Sequence, residues 1–331
     1  MKYATFVTPD SPRDPKLGAV LDDMLIDFQA AQGWALKARG LPTEPLPGSL
    51  FELIQAGQPA WLYTRNLLNV LDDIDPTTAH DAQGARVGWR LPEVTLYPPL
   101  PRPMSLRDFY AFEQHVKAAY ANRGRAVPEE WYEFPTFYFT NPNSVFGPNE
   151  TVPCPKYTQA LDYELEIACV ISRPGRNIPA ANAEDYIFGF TIMNDWSARD
   201  VQRKEMKLLG PAKAKDFATS LGPWVVTLDE LRDRAAGRPG VFDLEMWAQV
   251  NGVERSHGNF KDIYYSFGQI IEHASADAFL MPGDVLGSGT VGTGCLLELT
   301  KGQGPWLQPG DVVELEIERL GVLRNKIVNS K

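Results

Sequence analysis

Cysteine, histidine and clustered basic charge are all scarce in this chain, and each scarcity excludes something. The three cysteines, Cys154, Cys169 and Cys295, lie far apart among apolar residues with no C-x-x-C pair. That rules out a disulfide framework and fits reduced, buried thiols in a cytoplasmic protein. Only four histidines are present, so imidazole chemistry must fall on His80, His115, His257 or His273. No apolar run reaches the roughly 18 residues of a membrane span, and Thr8-Pro9-Asp10 halts the first apolar stretch before a signal-peptide core can form. The expectation is a soluble, unexported protein without a membrane partner. Lys and Arg are scattered and the net charge is −10, which argues against nucleic acid and permits divalent cations. No internal repeat or low-complexity tract occurs.

What is present suffices for a sizeable core: 331 residues, 44% of them hydrophobic. That length predicts a large domain with a smaller companion. Pro98, Pro99, Pro101 and Pro103 form an extended joint, placing a small α+β domain at 1–100 and a larger domain at 101–331. Residues 17–28 read as two short strands turning at Asp22-Asp23, followed by helical patterns near 29–39, 50–55 and 59–71. His80 falls in a polar loop. From Phe134 onward the pattern is mostly strand, with a hairpin at Asn251-Gly252 and strands after Pro282-Gly283-Asp284 and Pro309-Gly310-Asp311. Helical spacing returns over 261–274. The fold class is therefore α+β and strand-rich.

The most informative stretch is Leu161-Asp162-Tyr163-Glu164-Leu165-Glu166-Ile167-Ala168-Cys169-Val170-Ile171. Read as one strand, it puts Glu164 and Glu166 on one face with Ala168 and Val170, and apolar groups on the other. Two carboxylates roughly 5–7 Å apart repel by about 2–3 kcal/mol at an effective dielectric near 20. Either this face is solvated and the glutamates are ordinary, or the pair needs a cation or a shared proton. Glu314, Glu316 and Glu318 offer the contrast, alternating with apolar residues so that one face is plainly solvated.

Further polar residues stand in apolar company. Ser105 can cap a helix running to about Tyr120. On it, Asp108 and His115 would share a face about 10 Å apart along the axis, too far to bind one ion together. Asp195 follows the apolar stretch Phe188–Met193 as a candidate ligand or a helix cap. Lys215 and Thr219 lie between Gly210-Pro211 and Gly222-Pro223, where a lysine can meet an anion or a developing oxyanion.

Taken together, these segments resemble the fumarylacetoacetate hydrolase superfamily over roughly residues 104–331. The likeness rests on Asp108-Phe109-Tyr110 with His115, on the E-x-E of Glu164 and Glu166, and on Asn194-Asp195-Trp196-Ser197-Ala198-Arg199-Asp200 with Gln202. Lys215, Phe217, Thr219, Gly222-Pro223-Trp224, Ser288-Gly289-Thr290 and Glu298 extend it. The resemblance implies a mixed β-sandwich roll, usually a homodimer, acting in aromatic-compound catabolism. It implies Glu164, Glu166, Asp195 and Asp108 as ligands of a divalent ion. An all-oxygen set favours Mg²⁺, with Ca²⁺ or Mn²⁺ also suited. It further implies His115 as general base oriented by Glu298, Lys215 and Gln202 as oxyanion donors, and Arg199, Thr219 and Thr290 as pocket residues.

The expected reaction is metal-dependent hydrolysis of a C–C bond in a β-diketo acid resembling fumarylacetoacetate or an acylpyruvate. The alternatives are decarboxylation, tautomerisation or hydration of a 2-oxo acid, or a metal-stabilised binding module without activity. Met206 stands where fumarylacetoacetate hydrolases carry a tyrosine, and Thr140 where acylpyruvate hydrolases carry a lysine. Tyr138 and the pair Arg123 and Arg125 are candidate substitute contacts to substrate.

Overall fold

The computed structural model describes residues 1–330. The chain opens with β1 (Lys2–Thr8), β2 (Ser11–Leu21) and β3 (Met24–Asp27), then α1 (Phe28–Arg39), α2 (Leu50–Ala56) and α3 (Gln58–Asn69), β4 (Gly88–Arg90) and β5 (Thr95–Leu96). Next come β6 (Leu106–Phe109), α4 (Glu113–Ala121), β7 (Phe137–Thr140), β8 (Val145–Phe146), β9 (Thr151–Cys154), β10 (Leu161–Asp162) and β11 (Leu165–Ile171). Then follow β12 (Ile187–Asp195), β13 (Ser197–Ala198), α5 (Arg199–Glu205), β14 (Thr219–Thr227), β15 (Glu245–Val250) and β16 (Val253–Asn259). The chain ends with α6 (Phe267–Ser275), β17 (Val285–Gly287), α7 (Leu296–Leu299), β18 (Val312–Ile317) and β19 (Gly321–Asn329).

Ten strands form the path β4-β3-β2-β1-β14-β12-β11-β17-β6-β7, with β5 on β1 and β8 on β14. A second sheet runs β16-β15-β18-β19-β9, and its β15–β16 hairpin turns at Asn251-Gly252 as the sequence predicts, with both residues at positive φ. This is a strand-rich α+β fold.

β11 shows why both of its faces read as interior. Leu165, Ile167, Cys169 and Ile171 pack with Met246, Ala248, Leu315 and Ile317 of the second sheet and with Phe267, Ile270 and Ile271 of α6. Ala168 and Val170 pack the other way, in one cluster with Phe28, Ala31, Leu53, Leu67 and Leu68 of α1–α3. The first hundred residues therefore cover the far face of the large sheet, and β1 pairs antiparallel with β14. The two proposed domains share one sheet.

The structure corrects three local expectations. Residues 105–120 are not one helix: Leu106–Phe109 is strand β6, parallel to β17 and antiparallel to β7, and the helix begins only at Glu113. All four β6 residues are buried, and Leu106 and Phe109, three apart, match the spacing of one helical turn, which Phe112 and Val116 continue. The strand through Glu164 is also interrupted, since Tyr163 and Glu164 lie between β10 and β11. Backbone alternation does not hold those two glutamates on one face, although they do converge. The 261–274 helix starts late, at Phe267, after a single 3₁₀ turn at Phe260–Asp262.

Candidate active site

Sheet register brings the acids together. β6 places Asp108 opposite Gly287 of β17 and Tyr138 of β7. β11 places Leu165 and Glu166 opposite Asn194 and Met193, and Asp195 ends β12 opposite Thr219. The Asn194 side chain accepts the backbone N–H of Glu164 at 3.0 Å, securing the break before β11. Asp195 is not a helix cap, because the cap of α5 is Ala198.

Asp108, Glu164, Glu166 and Asp195 each offer an oxygen within 4.8 Å of the others, and all four are buried. The Gly289 N–H donates to Asp108 Oδ1 and Glu166 Oε2, both at 3.1 Å. Gly289 has φ +78°, and a Cβ there would meet the Phe109 carbonyl oxygen at 2.5 Å, so the close backbone approach requires glycine. The Tyr138 hydroxyl donates to Asp108 Oδ2 at 3.0 Å and to Asp195, while Lys215 Nζ donates to Glu164 Oε2 at 2.5 Å and to Asp195.

This arrangement is short of positive charge. Burial, then the charges of Asp108, Glu164 and Asp195, hold the Glu166 carboxyl well above its ordinary range. Burial also lifts Asp195 and Asp108, with Lys215 opposing in both cases. Glu164 goes the other way: burial pushes it up, but Arg199 and then Lys215 outweigh that and bring it down to about 2. Burial pushes the Tyr138 phenol well above its ordinary range, with the Asp108 and Asp195 charges adding to it, so it stays a donor. Glu166 Oε1 and Asp195 Oδ1 are buried with no hydrogen-bond partner. A divalent cation answers both the surplus charge and the two orphaned oxygens, and an oxygen-only donor set suits Mg²⁺, Mn²⁺ or Ca²⁺.

Beside the acids, His115 is carried by α4, and its Nδ1 lies 2.9 Å from Glu298 Oε2 of α7. The Tyr110 ring meets the imidazole edge-on at 5.4 Å. Cys295 Sγ is 4.0 Å from the same Nδ1. A cavity of about 330 Å³ opens here, lined by Asp108, His115, Tyr138, Glu164, Arg199, Gln202, Lys215 and Thr290 among the proposed site residues. Glu166, Asp195 and Glu298 support it from behind its wall. Thr219 does not line it: its buried hydroxyl lacks a partner and sits across the ladder from Asp195. Arg123 and Met206 do line it, whereas Thr140 on the sheet-edge strand does not. The roles of two residues within the quoted motifs, Gly289 and Asp162, are not legible in the sequence. Gly289 gave no sign beyond its motif, whereas Asp162 gave the same signal as Glu164, a carboxylate in an apolar strand.

A profile of the fumarylacetoacetate (FAA) hydrolase C-terminal family matches residues 105–328. The chain belongs to the fumarylacetoacetate hydrolase family. It is similar to the fumarylacetoacetases of Homo sapiens, 29% identical over 361 aligned positions spanning 92% of this chain and 85% of that one, and of Arabidopsis thaliana, 28% identical with the same shares. Among solved structures it resembles a fumarylacetoacetate hydrolase from Exiguobacterium antarcticum, with a TM-score of 0.71, 25% identity and 100% of both chains covered. It shares its fold with a 5-carboxymethyl-2-hydroxymuconate delta-isomerase from Mycobacterium smegmatis, at a TM-score of 0.65, 24% identity and full coverage of both chains. This family member is thus an enzyme of the fumarylacetoacetate hydrolase family. No helix among the described residues is long and apolar enough to cross a membrane.

Proposed function

We propose that this family member hydrolyses a C–C bond in a β-diketo acid, using a divalent ion held by Asp108, Glu164, Glu166 and Asp195. The observation that carries the reading is the His115–Glu298 pair at 2.9 Å, whose imidazole lines the same cavity as Asp108 and Glu164. A bound ion would supply Lewis-acid polarisation of the substrate's carbonyl oxygens. The chain's own groups do the rest. With Nδ1–H donated to Glu298, His115 Nε2 carries the lone pair and can take a proton from water. That water adds to one carbonyl carbon, the adjacent C–C bond breaks, and the departing carbon receives the proton that His115 holds. The products are a carboxylic acid and a shorter ketone or keto acid. Lys215 and Gln202 are the donors for the oxygen that gains charge, and Arg199, Thr290 and Tyr138 shape the pocket around the acid. We take the protein to be a cytoplasmic homodimer on the same resemblance.

The test follows the ultraviolet absorbance of enolised diketo acids, fumarylacetoacetate and several acylpyruvates, with Mg²⁺ and with chelator. Metal-dependent loss of the chromophore with two acid products is expected. His115→Ala should lower turnover by about 10²–10⁴ while Mg²⁺ affinity stays. If no substrate decays in Mg²⁺-loaded protein, or if H115A retains full turnover, the reading passes to a decarboxylase, tautomerase or hydratase.

A further inference from the structure

One carboxylate in this region belongs neither to the ion cluster nor to the base pair. Asp162, at the end of β10, is 0% exposed. Its Oδ2 accepts Arg199 Nε at 2.8 Å and the backbone N–H of Leu297 at 2.9 Å, and its Oδ1 accepts the N–H of Leu296 at 2.8 Å. These bonds lead in two directions. Arg199 Nη1 continues to Glu164 Oε1 at 2.8 Å and to Gln202 Oε1 at 3.1 Å. Leu296 and Leu297 open α7, whose next residue is Glu298, the acceptor for His115. No side chain of α7's own flanking residue caps those N–H groups, so Asp162 alone supplies the acceptor.

We propose that Asp162 is a positioning residue that aligns both halves of the active site from one carboxylate. Through Arg199 it fixes Oε1 of Glu164, and through the first N–H groups of α7 it fixes Glu298 against His115. The role of the second branch rests on the hydrolase reading; the first branch does not. Both oxygens are needed. An asparagine would keep the volume but offer one acceptor oxygen, so its NH₂ would face a donor in either orientation, Leu296 N–H in one and Arg199 Nε–H with Leu297 N–H in the other; an alanine removes both acceptors. Groups that orient metal ligands from behind carry about 10–100-fold in metal affinity or activity.

The experiment uses two readouts that need no substrate. Mg²⁺ affinity is measured by calorimetry, and the His115 Nδ1–H proton resonance, shifted downfield by its bond to a carboxylate, is recorded by NMR in the Mg²⁺-loaded protein, assigned with H115A and compared with Glu298→Gln. In Asp162→Ala, Mg²⁺ affinity should fall by about 10–100-fold, and the His115 resonance should move upfield toward that of E298Q. Adding D162A to E298Q should then shift the resonance no further. A wild-type value of either readout in folded D162A overturns the assignment. If D162A gives no cooperative melt, Arg199→Gln carries the test. It severs the Glu164 branch and spares α7, so Mg²⁺ affinity should fall while the His115 resonance stays downfield. An unchanged affinity, or an upfield resonance, overturns the proposal there. Because neither readout uses turnover, an enzyme that cleaves no diketo acid would refute the hydrolase reading separately.

Discussion

Two stretches of this chain carry closely spaced glutamates among apolar residues, and their fates are opposite. On β18, Val313, Leu315 and Ile317 are buried while Glu314 and Glu316 face outward. Glu314 lies directly opposite Arg324 of β19, and Glu318 pairs with Arg234. Around β11 both rows are interior, and Glu166 is 0% exposed with one oxygen unpartnered. The residue type and spacing are alike; the difference is what covers the second face. Around β11 that face is closed by α1–α3 over Ala168 and Val170 and by Asp108, Asp195 and the Gly289 N–H around Glu166, so the buried carboxylates must be answered by a cation or by protons. Alternation assigns a side chain to a face, and the layer beyond that face assigns its chemistry.

The sharpest way to break this contrast is one amide on each strand. Glu166→Gln should abolish Mg²⁺ binding at millimolar concentrations and, with it, turnover, since a ligand has been removed. Metal-free E166Q should nevertheless melt no lower than wild type at pH 8, because it removes a carboxylate whose ionised form is disfavoured there. Glu316→Gln should change stability by less than about 0.5 kcal/mol and leave metal binding alone. Calorimetric titration and thermal melts read both. An E166Q protein that still binds Mg²⁺, or melts well below wild type without it, would erase the distinction.

The same difference has a pH signature of middling size. Glu166, Asp195 and Asp108 have carboxyls raised in the fold, so above the ordinary carboxylate range near pH 4 the native state holds more protons than the unfolded chain. Stability of the metal-free protein should therefore fall as pH rises through those raised values. Glu164, lowered to about 2, acts oppositely: its contribution is present above the ordinary range and is lost as pH falls toward about 2. The metal-free melting temperature should decline from pH 5 to pH 8, saturating Mg²⁺ should remove that decline, and binding should release protons measurable in weak buffer. A flat metal-free profile counts against the buried, cation-starved cluster.

How much of this was legible follows from the range of the interactions. The hairpin at Asn251-Gly252, the strands at Asp22-Asp23 and the amphipathic helices α1–α3 depend on neighbours in sequence, and they were read correctly. The burial of Glu166 was legible as a conflict, a charge in an apolar strand, although the break at Tyr163-Glu164 was not. Leu106, Phe109, Phe112 and Val116 are spaced as a helix, yet the first two sit in a strand held by β17 and β7, partners that local spacing does not reveal. The pairing of β1 with β14 and the bonds from Asp162 to Arg199 and α7 are likewise products of distant chain segments. Asp162 was in view as part of the motif; only the fold shows what it holds.

The smallest effect belongs to the exposed strand and tests whether its face is as ordinary as β11's is not. Arg324 Nε lies 3.3 Å from Glu314 Oε1, with the side chains 46% and 31% exposed. A directly opposed cross-strand ion pair in water contributes about 0.2–1 kcal/mol. Arg324→Gln should cost no more than that. Most of the loss should vanish in 1 M salt, where charges are screened beyond about 3 Å. Urea melts of wild type and variant at low and high salt resolve the difference, because the slope with denaturant should be unchanged and only the midpoint should move. A larger, salt-insensitive loss would mean that Glu314 is shielded from solvent by something that covers β18, as the helices cover β11. The two strands would then differ in degree, and the orphaned oxygens of Glu166 and Asp195, rather than burial alone, would have to carry the assignment of the ion site.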